Sequence, residues 1–307
     1  MSQIGRFGLQ RTFLVITVVA VLTCASVAMY FIYPFAPSGV ARAPENSAAI
    51  VDTLSLLNLN PGFMNETVNY LSDAGLSVDV YRAPDVTVEF MKSFPAGYRL
   101  IIFRIHSGTS RRGVFYFTSE PYDESKYEPE QFRDELRPVR DYEGHPQVFG
   151  FGSKFVDTFL QNRFKNSVVI GMGCFGAGTS YGTEEEVTIE NVRAEKGANL
   201  ADAFYRQGAV AVIGWDSLVT LGFSELATLR LIKALAVERL TVRQATETVN
   251  SEIGPDPVYK GTLAFYPEEN GDRKLIVDTQ QNHAISTSLI PLCLVPHEEQ
   301  SLRPKLK

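Results

Sequence analysis

The amino-acid sequence predicts an α/β domain, an open and mainly parallel sheet with helices on both faces, preceded by one N-terminal transmembrane helix. Three observations predict it. From residue 48 onward, apolar runs of strand length alternate with helical patterns in β-α-β-α-β order, which calls for a parallel sheet covered on both sides. The same alternation resumes after residue 153, where helix, strand, helix and strand follow one another. Before all of this, Thr12 to Tyr33 runs without a charge for about 22 residues, roughly 33 Å as a helix and enough to span a bilayer.

The elements follow in chain order. Residues 1–11 carry Arg6 and Arg11, whereas no charge follows the apolar run until Arg42, so the positive-inside rule places residues 1–11 in the cytoplasm and the rest outside. A cleaved signal peptide is the competing reading, but its apolar region is shorter and ends in small residues, which "YFIYPFAPSG" supplies poorly. Residues 12–33 are therefore read as an anchor, with Cys24 as a membrane-buried thiol, and residues 34–47 as a tether rich in Pro and Ala. The main domain is expected over 48–266. In it "AAIVDTLSLL" is a first strand, Asn60-Pro61 starts a helix that Gly75 ends, "LSVDVYR" is a strand, "VTVEFMKSF" a short helix and "YRLIIFRI" a buried strand ending at His106. "GVFYFTS" reads as a hairpin arm, and Glu120 to Gly152 as a long insertion over the surface. Then come an amphipathic helix in "KFVDTFLQNRF", a strand in "SVVIGM", a polar loop from Thr179 to Gly197 and a helix in "NLADAFYRQGA". A strand at Val210 to Trp215 and a helix at Glu225 to Glu238 follow, and Thr241 and Gln244 stand in capping-box spacing. Residues 267–307 are expected to be an extension of short strands and a polar tail.

Composition removes several functional classes. The formal net charge is -6 and no long Lys/Arg run occurs, which argues against a surface built for nucleic acid. Of three cysteines, Cys24 lies in the apolar span, so a disulfide framework is not expected, and Cys293 in "IPLCLVP" reads as a packed small hydrophobe. The four histidines, His106, His145, His283 and His297, show no ligand spacing. Neither a metal nor an organic cofactor is expected, and nothing in the pattern sets the oligomeric state.

The stretch "SVVIGMGCFGAG" admits two readings. Gly171, Gly173 and Gly176 spell the G-x-G-x-x-G of a dinucleotide turn, but such a turn opens a helix, whereas "TSYGTEEEVTIENVRAEKGAN" beyond it is polar and has no apolar stripe. The other reading makes it a strand end that presents Cys174. Because ligands meet an open parallel sheet beyond the carboxyl ends of its strands, His106 and Cys174 are expected at one edge, as general acid-base and nucleophile. Gly173 and Gly176 would let a substrate backbone approach the thiol. A packed, inert thiol and a lone structural histidine are the alternative for these two residues.

At these residues the chain resembles the caspase-fold cysteine peptidases, particularly the caspase-like and CHAT-domain branches. The resemblance rests on "YRLIIFRIHSG", "VVIGMGCFGAG" and "LADAFYRQGAVAVIGWDS", in the family's order and within about residues 48–252. It implies peptide-bond cleavage by a Cys174/His106 dyad, with an oxyanion site made by backbone at Ser107, Gly108 and Gly173 and the N–H of Cys174. It also implies a peptide or protein substrate, with Trp215 and Asp216 near the pocket for the residue before the cut; Asp216 there would favour Arg or Lys. Asp79 and Asp202 are weaker pocket candidates. Two departures stand out. The family has Gly directly after the His, where this chain has Ser107 before Gly108, and a donor requiring positive φ would strain Ser107. Metacaspase-like enzymes carry Asp two residues before the Cys, where Met172 stands here. The rival expectation is an inactive caspase-like scaffold that binds peptides or partner proteins at the cell surface.

Overall fold

The computed structural model describes residues 41–44, 46–110, 113–140, 145–177 and 200–275. The expected anchor, the loop from Thr179 to Gly197, Cys293 and most of the extension at 267–307 lie outside the described residues. No helix among the described residues is long and apolar enough to cross a membrane.

Six strands form the central sheet: β1 (Ser47–Asp52), β2 (Ser77–Arg82), β3 (Leu100–Arg104), β8 (Val168–Gly171), β9 (Ala211–Trp215) and β10 (Leu263–Tyr266), in the order β10-β9-β8-β3-β1-β2. All neighbours are parallel except β10, which runs antiparallel to β9. The architecture is thus mixed α/β with a largely parallel sheet, as the alternation of apolar runs predicts. β1, β3, β8 and β9 are apolar almost throughout because a strand between two covered faces has no solvent side.

Successive side chains feed two separate cores. One face carries Ala48, Ile50, Ile102, Ile170 and Ile213, covered by α1 (Pro61–Asp73), α6 (Leu221–Ile232) and α7 (Val242–Glu252). The other carries Ala49, Val51, Ile101, Phe103, Val169 and Val212, covered by α2 (Val88–Lys92), α4 (Ser153–Phe159) and α5 (Leu200–Arg206). Each large apolar side chain moved from water contributes about 1.5–3 kcal/mol, so these two layers dominate the stability.

Helix ends follow their sequence signals. Asn60 Oδ1 accepts the Phe63 N–H at 3.1 Å with Pro61 in the first turn, and Thr87 Oγ1 accepts the Phe90 N–H at 3.1 Å. Thr241 and Gln244 form the expected reciprocal capping box. The helix expected from Glu225 instead starts at Leu221 and runs into a π-helical turn, Lys233–Val237.

The stretch from Glu120 to Gly152 is not a surface loop. It contains α3 (Glu128–Phe132), β6 (Leu136–Val139) and β7 (Val148–Phe151), which join the hairpin β4 (Ser107–Ser110) and β5 (Gly113–Pro121) in an antiparallel sheet of order β4-β5-β7-β6. Tyr116, Leu136, Phe149 and Phe151 of this sheet enter the same core as Phe103 and Phe204. Three rings knit the layers together: Phe103 lies 5.5 Å from Tyr116 and 5.4 Å from Phe204, with Tyr116 and Phe204 6.0 Å apart.

Candidate active site

The expected partners leave the same edge of the sheet. β3 and β8 are adjacent and parallel, with Phe103 paired to Gly171, and His106 and Cys174 each stand three residues beyond that pair. The Met172 N–H donates to the Phe103 carbonyl at 3.0 Å and carries the ladder one step past the strands. Both His106 and Cys174 are half-buried.

His106 is fixed by the hairpin it introduces. Its carbonyl accepts the Phe117 N–H at 2.9 Å, and its ring lies 6.1 Å from that of Phe117. Ser107 then pairs with Tyr116 in β4. In an antiparallel ladder the neighbour of a bonded residue turns its N–H away from the partner strand, so the Ser107 N–H faces away from β5. Ser107 has no positive φ, so the strain that such a backbone would impose does not arise: the residue begins a strand and is not among those with left-handed backbone. Gly108 is the next residue of the same strand.

The left-handed residue is Phe175, directly after the cysteine, at φ 57°. Its N–H donates to the Ser217 carbonyl at 3.0 Å, and the Ala177 N–H reaches the Trp215 carbonyl at 3.2 Å. On the opposite side the Ser107 hydroxyl donates to the Cys174 carbonyl. The loop is therefore tied to the strands on both sides of β8, with the Cys174 thiol 3.7 Å from the Val219 carbonyl.

The glycines of this loop are closed by the protein's own atoms. A Cβ at Gly173 would lie 2.5 Å from Ser107 Oγ and 2.7 Å from the Ile105 carbonyl, and one at Gly176 would lie 2.6 Å from the Gly171 carbonyl. Neither gap admits a substrate backbone, contrary to the sequence expectation. Their role is close packing of chain on chain.

Trp215 does not offer the expected pocket surface, whereas Asp216 is half-buried with both carboxylate oxygens engaged. Trp215 is 1% exposed and its indole N–H donates to Ser224 Oγ at 2.9 Å, which in turn donates to the Met172 carbonyl at 2.8 Å. Asp216 accepts the Thr262 N–H and hydroxyl, both at 2.7 Å, one on each carboxylate oxygen. A basic side chain would have to compete with those bonds. Asp79 accepts the Tyr98 hydroxyl at 2.7 Å, and Asp202 accepts the Tyr266 hydroxyl at 2.8 Å and pairs with Arg206. Neither belongs to the loops around Cys174.

A buried charge cluster beside the site escaped the sequence reading. Arg104, wholly buried two residues before His106, donates to Asp52 at 2.7 Å, to Glu225 through Nε at 3.0 Å and to the Asn58 carbonyl at 2.7 Å. The Asn60 amide completes Glu225 at 2.7 Å. Burial pushes the Asp52 carboxyl above the usual range, with Arg104 offsetting only part of the effect. The available signal was the lone charge within "LIIFRI", because a charge inside a buried strand requires a partner. Among the described residues, no cluster of His, Cys, Asp and Glu could hold a metal ion.

No protein-family model matches the chain, and no curated protein matches it significantly. Among solved structures, a chain from the separase-securin complex of Saccharomyces cerevisiae matches over 78% of this chain, at 13% identity and a TM-score of 0.43. The match spans 12% of that chain's length.

Proposed function

We propose that this chain is a membrane-anchored, caspase-like cysteine peptidase, with Cys174 as the nucleophile and His106 as the general acid-base. One observation carries the reading: the two residues stand at equal offsets beyond a registered pair on adjacent parallel strands. In the reaction, Cys174 Sγ attacks the scissile carbonyl carbon. The C–S bond forms, the carbonyl electron pair moves to oxygen, and the N–H groups of Cys174 and Ser107 are the donors for that oxyanion. His106 takes the thiol proton and delivers it to the leaving amine as the C–N bond breaks. Water then hydrolyses the thioester and restores the thiol. Residues 12–33 would hold the domain on the extracytoplasmic side of a membrane, where it acts on peptides or proteins without a cofactor.

The test is competitive labelling of the full chain by iodoacetamide and a peptidyl acyloxymethyl ketone, read residue by residue. Cys174 is expected to react well before Cys293, and His106→Ala to slow the ketone reaction by about 10²–10⁴-fold, the usual worth of a positioned acid-base. Equal labelling of both cysteines, with no effect of His106→Ala, would sink the enzyme and leave the peptide-binding scaffold.

A further inference from the structure

The peptide unit that follows Cys174 is gripped at both ends. Its carbonyl accepts the Ser107 hydroxyl, and its N–H, that of Phe175, donates to the Ser217 carbonyl at 3.0 Å. Ser107 opens β4 just beyond β3, and Ser217 follows β9, so the grip comes from the segments on either side of β8. The result is a bulky residue held left-handed, with Phe175 at φ 57° and its side chain buried. Such a conformation persists only where the surroundings enforce it.

A peptide plane is rigid, so it turns only through the torsions on either side of it, ψ of Cys174 and φ of Phe175. Relaxing Phe175 toward ordinary φ therefore turns the backbone that carries the thiol. Tyr116 supplies a longer contact further along the same loop, its hydroxyl reaching the Gly176 carbonyl at 3.5 Å.

We infer that Ser107 is a positioning residue for the thiol: its hydroxyl, with the Ser217 carbonyl, clamps the Cys174–Phe175 peptide plane and fixes the backbone from which the Cys174 side chain projects. The same hydroxyl joins the segment that follows His106 to the loop bearing Cys174, so one bond sets the two in register. Serine after His106 is then a working part of the site.

The experiment compares wild type, Ser107→Ala and Ser107→Thr in the full chain. It measures the rates of Cys174 alkylation by iodoacetamide and of inactivation by a peptidyl acyloxymethyl ketone across pH, together with thermal melting. Ser107→Ala is expected to slow alkylation roughly two- to tenfold, the effect of one neutral hydrogen bond, and to slow the ketone more, because that reagent also needs an oriented carbonyl. Ser107→Thr keeps the hydroxyl and is expected to recover most of both rates. The ketone arm rests on the peptidase reading and the iodoacetamide arm does not. A wild type inert to the ketone, with alkylation still slowed by Ser107→Ala, would refute the peptidase and leave the clamp standing. An alanine variant that melts lower yet reacts with both reagents at wild-type rates would overturn the clamp.

Discussion

Gly173 is glycine because its missing side chain is where the chain leading from β3 into β4 touches the thiol loop. An added Cβ would meet Ser107 Oγ and the Ile105 carbonyl, and a carbonyl cannot rotate aside as a flexible side chain can. Gly173→Ala is therefore expected to destabilise the protein by about 1–3 kcal/mol, as overpacking does, and to slow Cys174 alkylation. Gly222→Ala, on α6 with nothing within 4 Å of the new Cβ, is the control; it should be neutral or stabilising by up to about 1 kcal/mol. Urea unfolding midpoints check the pair. The sequence showed that glycines flank Cys174 but not what fills the space beside Gly173, because the atoms that do so come from Ile105 and Ser107, far along the chain. A residue after a histidine carries no sign of its φ, and here the left-handed position falls on Phe175.

The turn between α7 and β10 is organised by one carboxylate. Asp256 is fully shielded and accepts N–H groups from Val258 at 2.8 Å and Tyr259 at 2.7 Å through one oxygen; the other accepts the N–H of Thr220 at 2.9 Å and its hydroxyl at 2.7 Å. Thr220 adjoins Val219, whose carbonyl faces the thiol, so this turn braces one wall of the site. Burial opposes the charge on Asp256, but these donors outweigh it and hold the carboxyl below its ordinary value. The associated stability is complete above the unfolded value, about 3.9, and is lost as pH falls through the lower folded value. Asp256→Asn is expected to lower stability at pH 7 by about 2 kcal/mol, the order of hydrogen bonds to a charged acceptor. The gap from wild type should close in acid, as melts between pH 7 and pH 2 would reveal. The central strands and the capped helices were legible because each follows from local periodicity or a cap. β6 and β7 were not: each has only four residues amid polar chain, and their strand character comes from pairing with each other and with β5.

The molecule is assembled from two stretches of chain that meet between β3 and β8. Arg104 fastens one side of that junction, linking β1 through Asp52 to α6 through Glu225. Arg104→Met would leave two buried carboxylates without their cation and is expected to destabilise the fold by about 3–5 kcal/mol. Urea denaturation checks this, and a loss below about 1 kcal/mol would mean that other groups take over the guanidinium's role. Alternating elements made the parallel sheet readable, and two strand-end residues made its functional edge readable. Strand order and the buried ion cluster depended on contacts across the chain, which periodicity does not encode. The strand order also bears on how the protein is made. β3 sits between β1 and β8, but β8 lies far downstream, so a growing chain carries an apolar strand with one open edge. At about 5–20 residues per second that exposure lasts for seconds. An open apolar edge is a template for pairing with other chains, so the hazard of aggregation is greatest at the ribosome and ends when β8 pairs with β3.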